Sequence, residues 1–522
     1  MATRHRPCPV LAGALAGALG GGAAVAEAPL SAIDWLSDNL AASAPFHMPA
    51  PDNGRGVSRG VTDERIEVTP LGASSDQAIG LFPAKRVGLP HDFWGQTPAP
   101  ELTTRVRGLA TDTLPAAQRA IHRILLAEFA PPHGAAAGTE ANLLLARIDK
   151  LVEFGALDQA LQLIESGAEI TPELWTRWFD IALLLGSEDR PCATLLRPKG
   201  NLSPNYAGRI FCLMQAGDWA AAHLSLQTAE ALGGITPTDA ALLRRFLDAE
   251  DADLAISRPT PTVSTPLQWR ILEAIGEPVY TQALPLAFAH ADLRGTAGWR
   301  AQLDAAERLT RAGVLEPNRL LGLYTEARAA ASGGIWDRVR AVNALEAALD
   351  AGDTTRVSDA LIRLWPLVQA AELEIAFATL FASRLADLTL EASAQRIAFD
   401  MALLAPEDAL GPDTAVPDTP GASFLAALAR GTALPATANA HPAAQAVADA
   451  LADPPPVPAP LAQRIADGHP GDTALVALDR LAEGAAGDLR ALTDGLATLR
   501  ALGLEALARR AAIELLILDR TG

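Results

Sequence analysis

Apolar residues recur at the spacing of an α-helix over most of this chain, from about residue 104 to residue 405. In 140–165, for example, Leu144 and Ile148 fall on one face of a helix, and Gly155 then breaks the pattern before a second helix begins. Ala and Leu dominate the composition, while aromatic residues make up only 5% of it. These residues favour helices over strands. We therefore expect an all-α fold built from helical hairpins.

The first residues are typical of a cleavable export signal. Basic Arg4 and Arg6 precede an uncharged apolar run over 10–25, which ends at the small-residue triplet 24–26 (Ala-Val-Ala). We predict a signal peptide over 1–26 and a periplasmic mature protein. No later segment has about 18 uncharged apolar residues in a row, so we expect no membrane span in the mature chain.

Proline and glycine divide the remaining sequence into segments. We predict an irregular, Pro/Gly-rich N-terminal arm over 27–103 and an α-helical solenoid over 104–405 with a possible break at 257–266. A Pro-rich linker is predicted over 406–460, interrupted by short helical pieces, and a C-terminal helical unit over 461–522.

Two segments at the centre of the chain share a local motif. Residues 155–160 (Gly-Ala-Leu-Asp-Gln-Ala) are followed by Ile164, and residues 217–222 (Gly-Asp-Trp-Ala-Ala-Ala) by Leu226 and Ala229 at matching offsets. At these spacings both resemble the turn and second helix of a tetratricopeptide repeat. The chain thus resembles exported tetratricopeptide-like helical-repeat proteins of Gram-negative bacteria. The resemblance implies a solenoid of helical hairpins with a concave binding surface.

Phe93 and Trp94 are two large rings in a proline-broken context near the end of the N-terminal arm. Such rings are poorly tolerated in water. We expect them to dock against the first hairpins of the helical body. The alternative is that they stay exposed and bind a partner.

The mature chain retains two cysteines, Cys192 and Cys212, after the loss of Cys8 with the signal peptide. An even number of cysteines in an exported protein predicts a structural disulfide. Two buried thiols are the alternative. Neither cysteine has the neighbours that would make it reactive.

The sequence contains no motif for catalysis, cofactor binding or metal binding that has the required context. The histidines do not form a His-Glu-X-X-His pattern, and His122 and His223 fall inside helical patterns, which favours structural roles. Glu165 and Ser166 resemble a lytic transglycosylase pair, but Cys212 replaces the glycine of a second motif from that family. The formal charge of −19 disfavours nucleic acid as a partner.

These observations predict a non-enzymatic periplasmic scaffold or adaptor, which binds an envelope protein or peptide through its helical surface and needs no cofactor. The alternative is a protein that binds cell-wall glycans, or an envelope enzyme such as a glycan hydrolase. Its carboxylates and tryptophans would come from distant repeats.

Overall fold

The structure, a computed structural model, describes residues 78–133, 141–167, 169–197, 205–247, 263–406, 415–435 and 441–518. The predicted signal peptide and the first part of the predicted arm, 27–77, lie outside these residues, as does most of the predicted break at 257–266.

The described residues form an all-α fold, as predicted. Two two-residue strands, β1 (Phe82–Pro83) and β2 (Ala127–Glu128), pair in parallel, and short 3-10 helices cover Ala84–Val87, Thr281–Ala283 and Leu286–Phe288. The α-helices in the described residues are α1 (Ala99–Gly108), α2 (Pro115–Leu126), α3 (Ala141–Glu153), α4 (Leu157–Glu165), α5 (Pro172–Leu185), α6 (Asp189–Leu195), α7 (Tyr206–Gln215), α8 (Trp219–Ala231), α9 (Pro237–Leu247), α10 (Pro266–Ala274), α11 (Ala289–Asp292), α12 (Trp299–Arg311), α13 (Pro317–Glu326), α14 (Ile335–Ala351), α15 (Thr354–Gln369), α16 (Glu374–Leu385), α17 (Ala392–Leu404), α18 (Pro420–Arg430), α19 (Pro442–Ala450), α20 (Ala459–Ala466), α21 (Pro470–Ala485), α22 (Leu489–Ala501) and α23 (Glu505–Leu518).

Gly155 and Gly217 both lie in turns between packed helices, as the sequence predicts. Their φ angles are 78° and 79°, in the left-handed region that side chains with a Cβ rarely adopt. The turn after α7 closes with a hydrogen bond from the Asp218 amide to the Leu213 carbonyl (2.9 Å), which satisfies a carbonyl at the helix end. The Asp218 side chain then accepts a hydrogen bond from the Ala221 amide and caps α8.

The buried apolar side chains form two cores. Core A contains residues of α1–α11, α17–α19 and α21–α23, and core B contains residues of α11–α17 and Leu518 of α23. Helix α17 contributes to both, through Phe399 in core A and Met401 in core B. Helix α11 also joins them, because the His290 ring nitrogen Nε2 lies 2.6 Å from the Gly155 carbonyl oxygen.

The two ends of the described chain pack against each other. Helix α21 contacts α1 and α2, and α23 contacts α2. Glu514 in α23 is fully buried and accepts hydrogen bonds from the Ala116 amide (2.5 Å) and from Arg119 in α2. Asp472 in α21, also buried, accepts a hydrogen bond from Arg105 Nε in α1 at 3.0 Å. The C-terminal helical unit is therefore part of core A rather than a separate end unit.

The short helical pieces predicted within the Pro-rich segment 406–460 are present as α18 and α19, in the part of that segment that the structure describes. Pro420 and Pro442 begin α18 and α19, where a missing amide hydrogen costs nothing because the first helical amides have no partner within the helix. Both helices bury apolar residues in core A, including Phe424 and Val447. Proline therefore starts helices here instead of interrupting them.

Candidate binding cleft between the two cores

A cleft of about 290 Å³ lies where core A faces core B. Its core A wall comes from the turn before α2, from α2 and from the end of α3. Its core B wall comes from the end of α12 and from Glu372, between α15 and α16. A smaller and more enclosed cavity of about 30 Å³ shares Gln118, Arg311 and Glu372 with it. We call these two connected cavities the inter-core cleft.

Charged side chains of both signs line the inter-core cleft. Asp112 and Glu153 stand on its core A side, and Arg308 and Arg311 on its core B side. Arg308 donates to the Thr281 and Leu284 carbonyls, each at 3.0 Å, and burial lowers its pKa. Its guanidinium is thus already engaged in holding the segment that follows α10.

The guanidinium of Arg311 is bonded through its Nε atom alone within the described residues. Its Nε donates to the Ala371 carbonyl at 3.0 Å and lies 3.7 Å from a Glu372 carboxylate oxygen. The Glu372 contact is longer than a charge-assisted hydrogen bond, which is usually about 2.7–2.9 Å. The two Nη groups of Arg311 make no hydrogen bond within the described residues. Arg311 thus presents unused donors to the cleft.

Several nearly buried polar groups in the cleft have no hydrogen-bond partner in the part of the chain that the structure describes. Thr310 is 6% exposed and its Oγ1 is unpartnered, and Gln118, which lines both cavities, is 8% exposed. Thr113 Oγ1 and His122 Nε2 are also unpartnered. Buried polar groups in proteins are nearly always hydrogen-bonded, and each exception needs an explanation.

His122 is a neutral imidazole in this setting. Its ring meets the edge of the Phe154 ring, with centroids 4.8 Å apart, and burial lowers its pKa from 6.5 to about 4. It offers one donor and one acceptor nitrogen, without charge. The helical pattern around His122 predicts a structural histidine, and nothing in the sequence indicates that it faces α12.

The backbone of the core B wall is strained at Glu372. Its φ angle is 55°, and among the described residues it is the one non-glycine with a positive φ. Such a conformation costs on the order of 1 kcal/mol and is found most often at functional sites. Here it ends α15 and brings the Ala371 carbonyl to Arg311.

A second, wider cleft of about 640 Å³ is formed by residues 280–282, Asp292 and the start of α12. Tyr280 is 84% exposed, and the Trp299 ring lies beside it, packed on Trp336 with centroids 5.1 Å apart. Thr281 donates a hydrogen bond to Asp292, whose pKa is raised by burial. We call this the Tyr280 cleft.

The two cysteines and the two rings of the N-terminal arm that the sequence singled out lie away from both clefts. The sulfurs of Cys192 and Cys212 are 2.02 Å apart, with a Cα separation of 5.0 Å, and link α6 to α7. This is bonding distance, in agreement with the predicted disulfide and not with two free thiols.

Phe93 and Trp94 are buried, at 3% and 1% exposure, so they are not an exposed partner motif. Both pack on Phe129, with centroids 5.1 and 5.0 Å away. The expectation that they dock against the first hairpins leaves out a second contact, because the other side of the pocket is α21. Gly471 has no side chain, and a Cβ there would lie 2.6 Å from the Phe93 carbonyl oxygen.

The described residues contain neither a candidate metal site nor a candidate membrane span. No group of three or more His, Cys, Asp or Glu side chains there is placed to hold a metal ion. No helix within these ranges is long and apolar enough to cross a membrane. No protein-family model, curated protein or solved structure matches this chain.

Proposed function

We propose that this chain is a non-enzymatic, exported helical-repeat protein that binds a peptide or a segment of an envelope protein in the inter-core cleft. The observation that carries the proposal is the set of unpartnered polar groups in that cleft, between two helical cores. Peptide backbone offers one donor and one acceptor at each residue, which matches such a lining.

The class of the fold is part of this proposal. The turns at Gly155, Gly217, Gly352 and Gly503 all have positive φ angles and join consecutive helices. Their similarity supports a tetratricopeptide-like solenoid. The disulfide-linked α6 and α7 support export to an oxidising compartment such as the periplasm.

Site-specific photocrosslinking in intact cells tests the proposal. Benzoylphenylalanine in place of Asp112, on the exposed rim of the cleft, should yield discrete crosslinked protein or peptide adducts. The matched control is the same group in place of Arg363, which is exposed on α15 away from the cleft. Identical adducts from both positions, or none from position 112, would contradict the proposal.

The Tyr280 cleft favours a second candidate function, the binding of cell-wall glycan. Sugars are commonly bound by exposed aromatic rings with nearby carboxylate and amide groups, and this cleft combines Tyr280 with Gln282 and Asp292. Sedimentation with purified peptidoglycan tests it. Tyr280→Ala should abolish co-sedimentation, whereas Trp219→Ala, which removes another exposed ring, should not.

A further inference from the structure

We propose that the inter-core cleft recognises a short peptide by its free C-terminal carboxylate, with Arg311 as the carboxylate partner. This inference rests on the proposed peptide-binding function and adds the chemical class of the ligand and its orientation. The carboxylate is placed at the enclosed end of the cleft, and the rest of the peptide extends towards the Asp112 rim.

Arg311 has the geometry that carboxylate binding needs. Because Nε is tied to the Ala371 carbonyl, the guanidinium plane is fixed before a ligand arrives. The two Nη groups remain available, and the side chain is 41% exposed, so a ligand can reach them from solution. A planar fork of this kind suits the two oxygens of a carboxylate, and a charge-assisted pair is stronger than a neutral hydrogen bond.

The neighbouring neutral groups match the last amide of a peptide. Gln118 supplies both a donor and an acceptor, and the Thr310 hydroxyl can act as either. Both are more than nine-tenths buried, and the Thr310 hydroxyl lacks a partner among the described residues. A buried polar group that is left unpaired destabilises the empty cleft, and a hydrogen bond from a ligand would offset this cost.

The outer part of the cleft has a carboxylate at its rim and a limited size. Asp112 is exposed there, Glu153 forms an ion pair with Lys150 at 2.7 Å, and Phe154 and Leu286 supply apolar surface. A free amino end is therefore attracted to the rim while the carboxylate lies at the inner end. A volume of about 290 Å³ is at the low end for ligand pockets, which suits a peptide of two or three residues.

Calorimetric titration of the full chain with Ala-Ala-Leu and with its C-terminal amide tests the inference. We expect the free acid to bind at least about tenfold more tightly than the amide, because the amide removes a charge-assisted contact. Arg311→Gln should remove this preference, and Arg363→Gln should leave it unchanged. Thr310→Val, which keeps the side-chain shape, should weaken binding of both peptides about equally.

Equal affinity for acid and amide, an unchanged preference in Arg311→Gln, or no binding of either peptide would overturn the inference. Crosslinks from position 112 that persist in Arg311→Gln would also overturn this inference. They would still support the proposed binding of a peptide in the cleft. Absence of both crosslinks and peptide binding would refute the two together.

Discussion

His122 links the inter-core cleft to the pH dependence of folding. Burial lowers its pKa from 6.5 to about 4, so between these values the unfolded chain binds a proton that the folded protein excludes. The stability that depends on a neutral His122 is therefore fully present above pH 6.5, and the free energy of unfolding decreases as the pH falls towards 4.

His122→Phe should flatten this dependence, because phenylalanine keeps the ring contact with Phe154 and cannot be protonated. We expect the free energy of unfolding of the variant to fall less than that of the wild type between pH 7 and pH 4, measured by urea denaturation. His441→Phe, at an exposed position, is the control. Parallel curves for wild type and His122→Phe would show that the imidazole does not titrate as its burial indicates.

At the scale of elements, the glycine turns determine how consecutive helices are joined. Gly217 has a φ of 79°, and no neighbouring atom lies within 4 Å of the position that a Cβ would occupy, so only backbone strain opposes a side chain there. Gly217→Ala should lower the free energy of unfolding by about 1 kcal/mol. Chemical denaturation of the purified variant measures this.

Gly421 in α18 is the matched control for that substitution. It has equally open surroundings but no positive φ. Gly421→Ala should be neutral or stabilise by up to about 1 kcal/mol, since alanine is the better helix former. Equal losses for the two variants would contradict the assignment of Gly217 as a strained turn.

The disulfide joins α6 and α7 across a separation of 20 residues. Closing a loop of this length restricts the unfolded chain and is worth about 3 kcal/mol. Reduction should therefore lower the unfolding free energy by about that amount, as measured by urea denaturation with and without reductant. The double variant Cys192→Ala, Cys212→Ala should be insensitive to reductant. A wild-type midpoint that reductant does not move would exclude a stabilising bridge.

The sequence predicts these elements well because helices and glycine turns depend on neighbouring residues. Gly155 and Gly217 are confirmed as turns for that reason. The packing of α18 and α19 in core A is harder to predict, because a proline can either break a helix or begin one, and the choice depends on that packing. The cleft residues Gln118 and Thr310 cannot be predicted from the sequence, because they meet only when α2 packs beside α12.

At the scale of the whole molecule, Glu514 holds the last helix to the second. Glu514→Gln should destabilise the protein by about 1–3 kcal/mol, because the amide oxygen can keep the Ala116 hydrogen bond but the charge that pairs with Arg119 and Arg510 is lost. Thermal and chemical unfolding measure the loss, and hydrogen exchange should locate it in α2 and α23.

Glu483→Gln is the control at this scale. Glu483 is an exposed residue of α21 whose ion pair with Arg480 lies within one helix, and such pairs contribute little. We expect a change within about 0.5 kcal/mol. A Glu514→Gln variant as stable as this control would mean that the buried carboxylate does not join the two ends of the chain.

The contact between the first and last helices also determines the order in which the chain becomes stable during synthesis. Helices α1 and α2 are made before α21 and α23, yet Arg105 and Arg119 receive their carboxylates from these later helices. Trp94 likewise packs against Gly471 of α21, which is synthesised much later than Trp94 itself. Contacts this distant in sequence form late. The earliest hairpins therefore remain incompletely covered until the C-terminal helix emerges, and the nascent chain stays open to helper proteins until then.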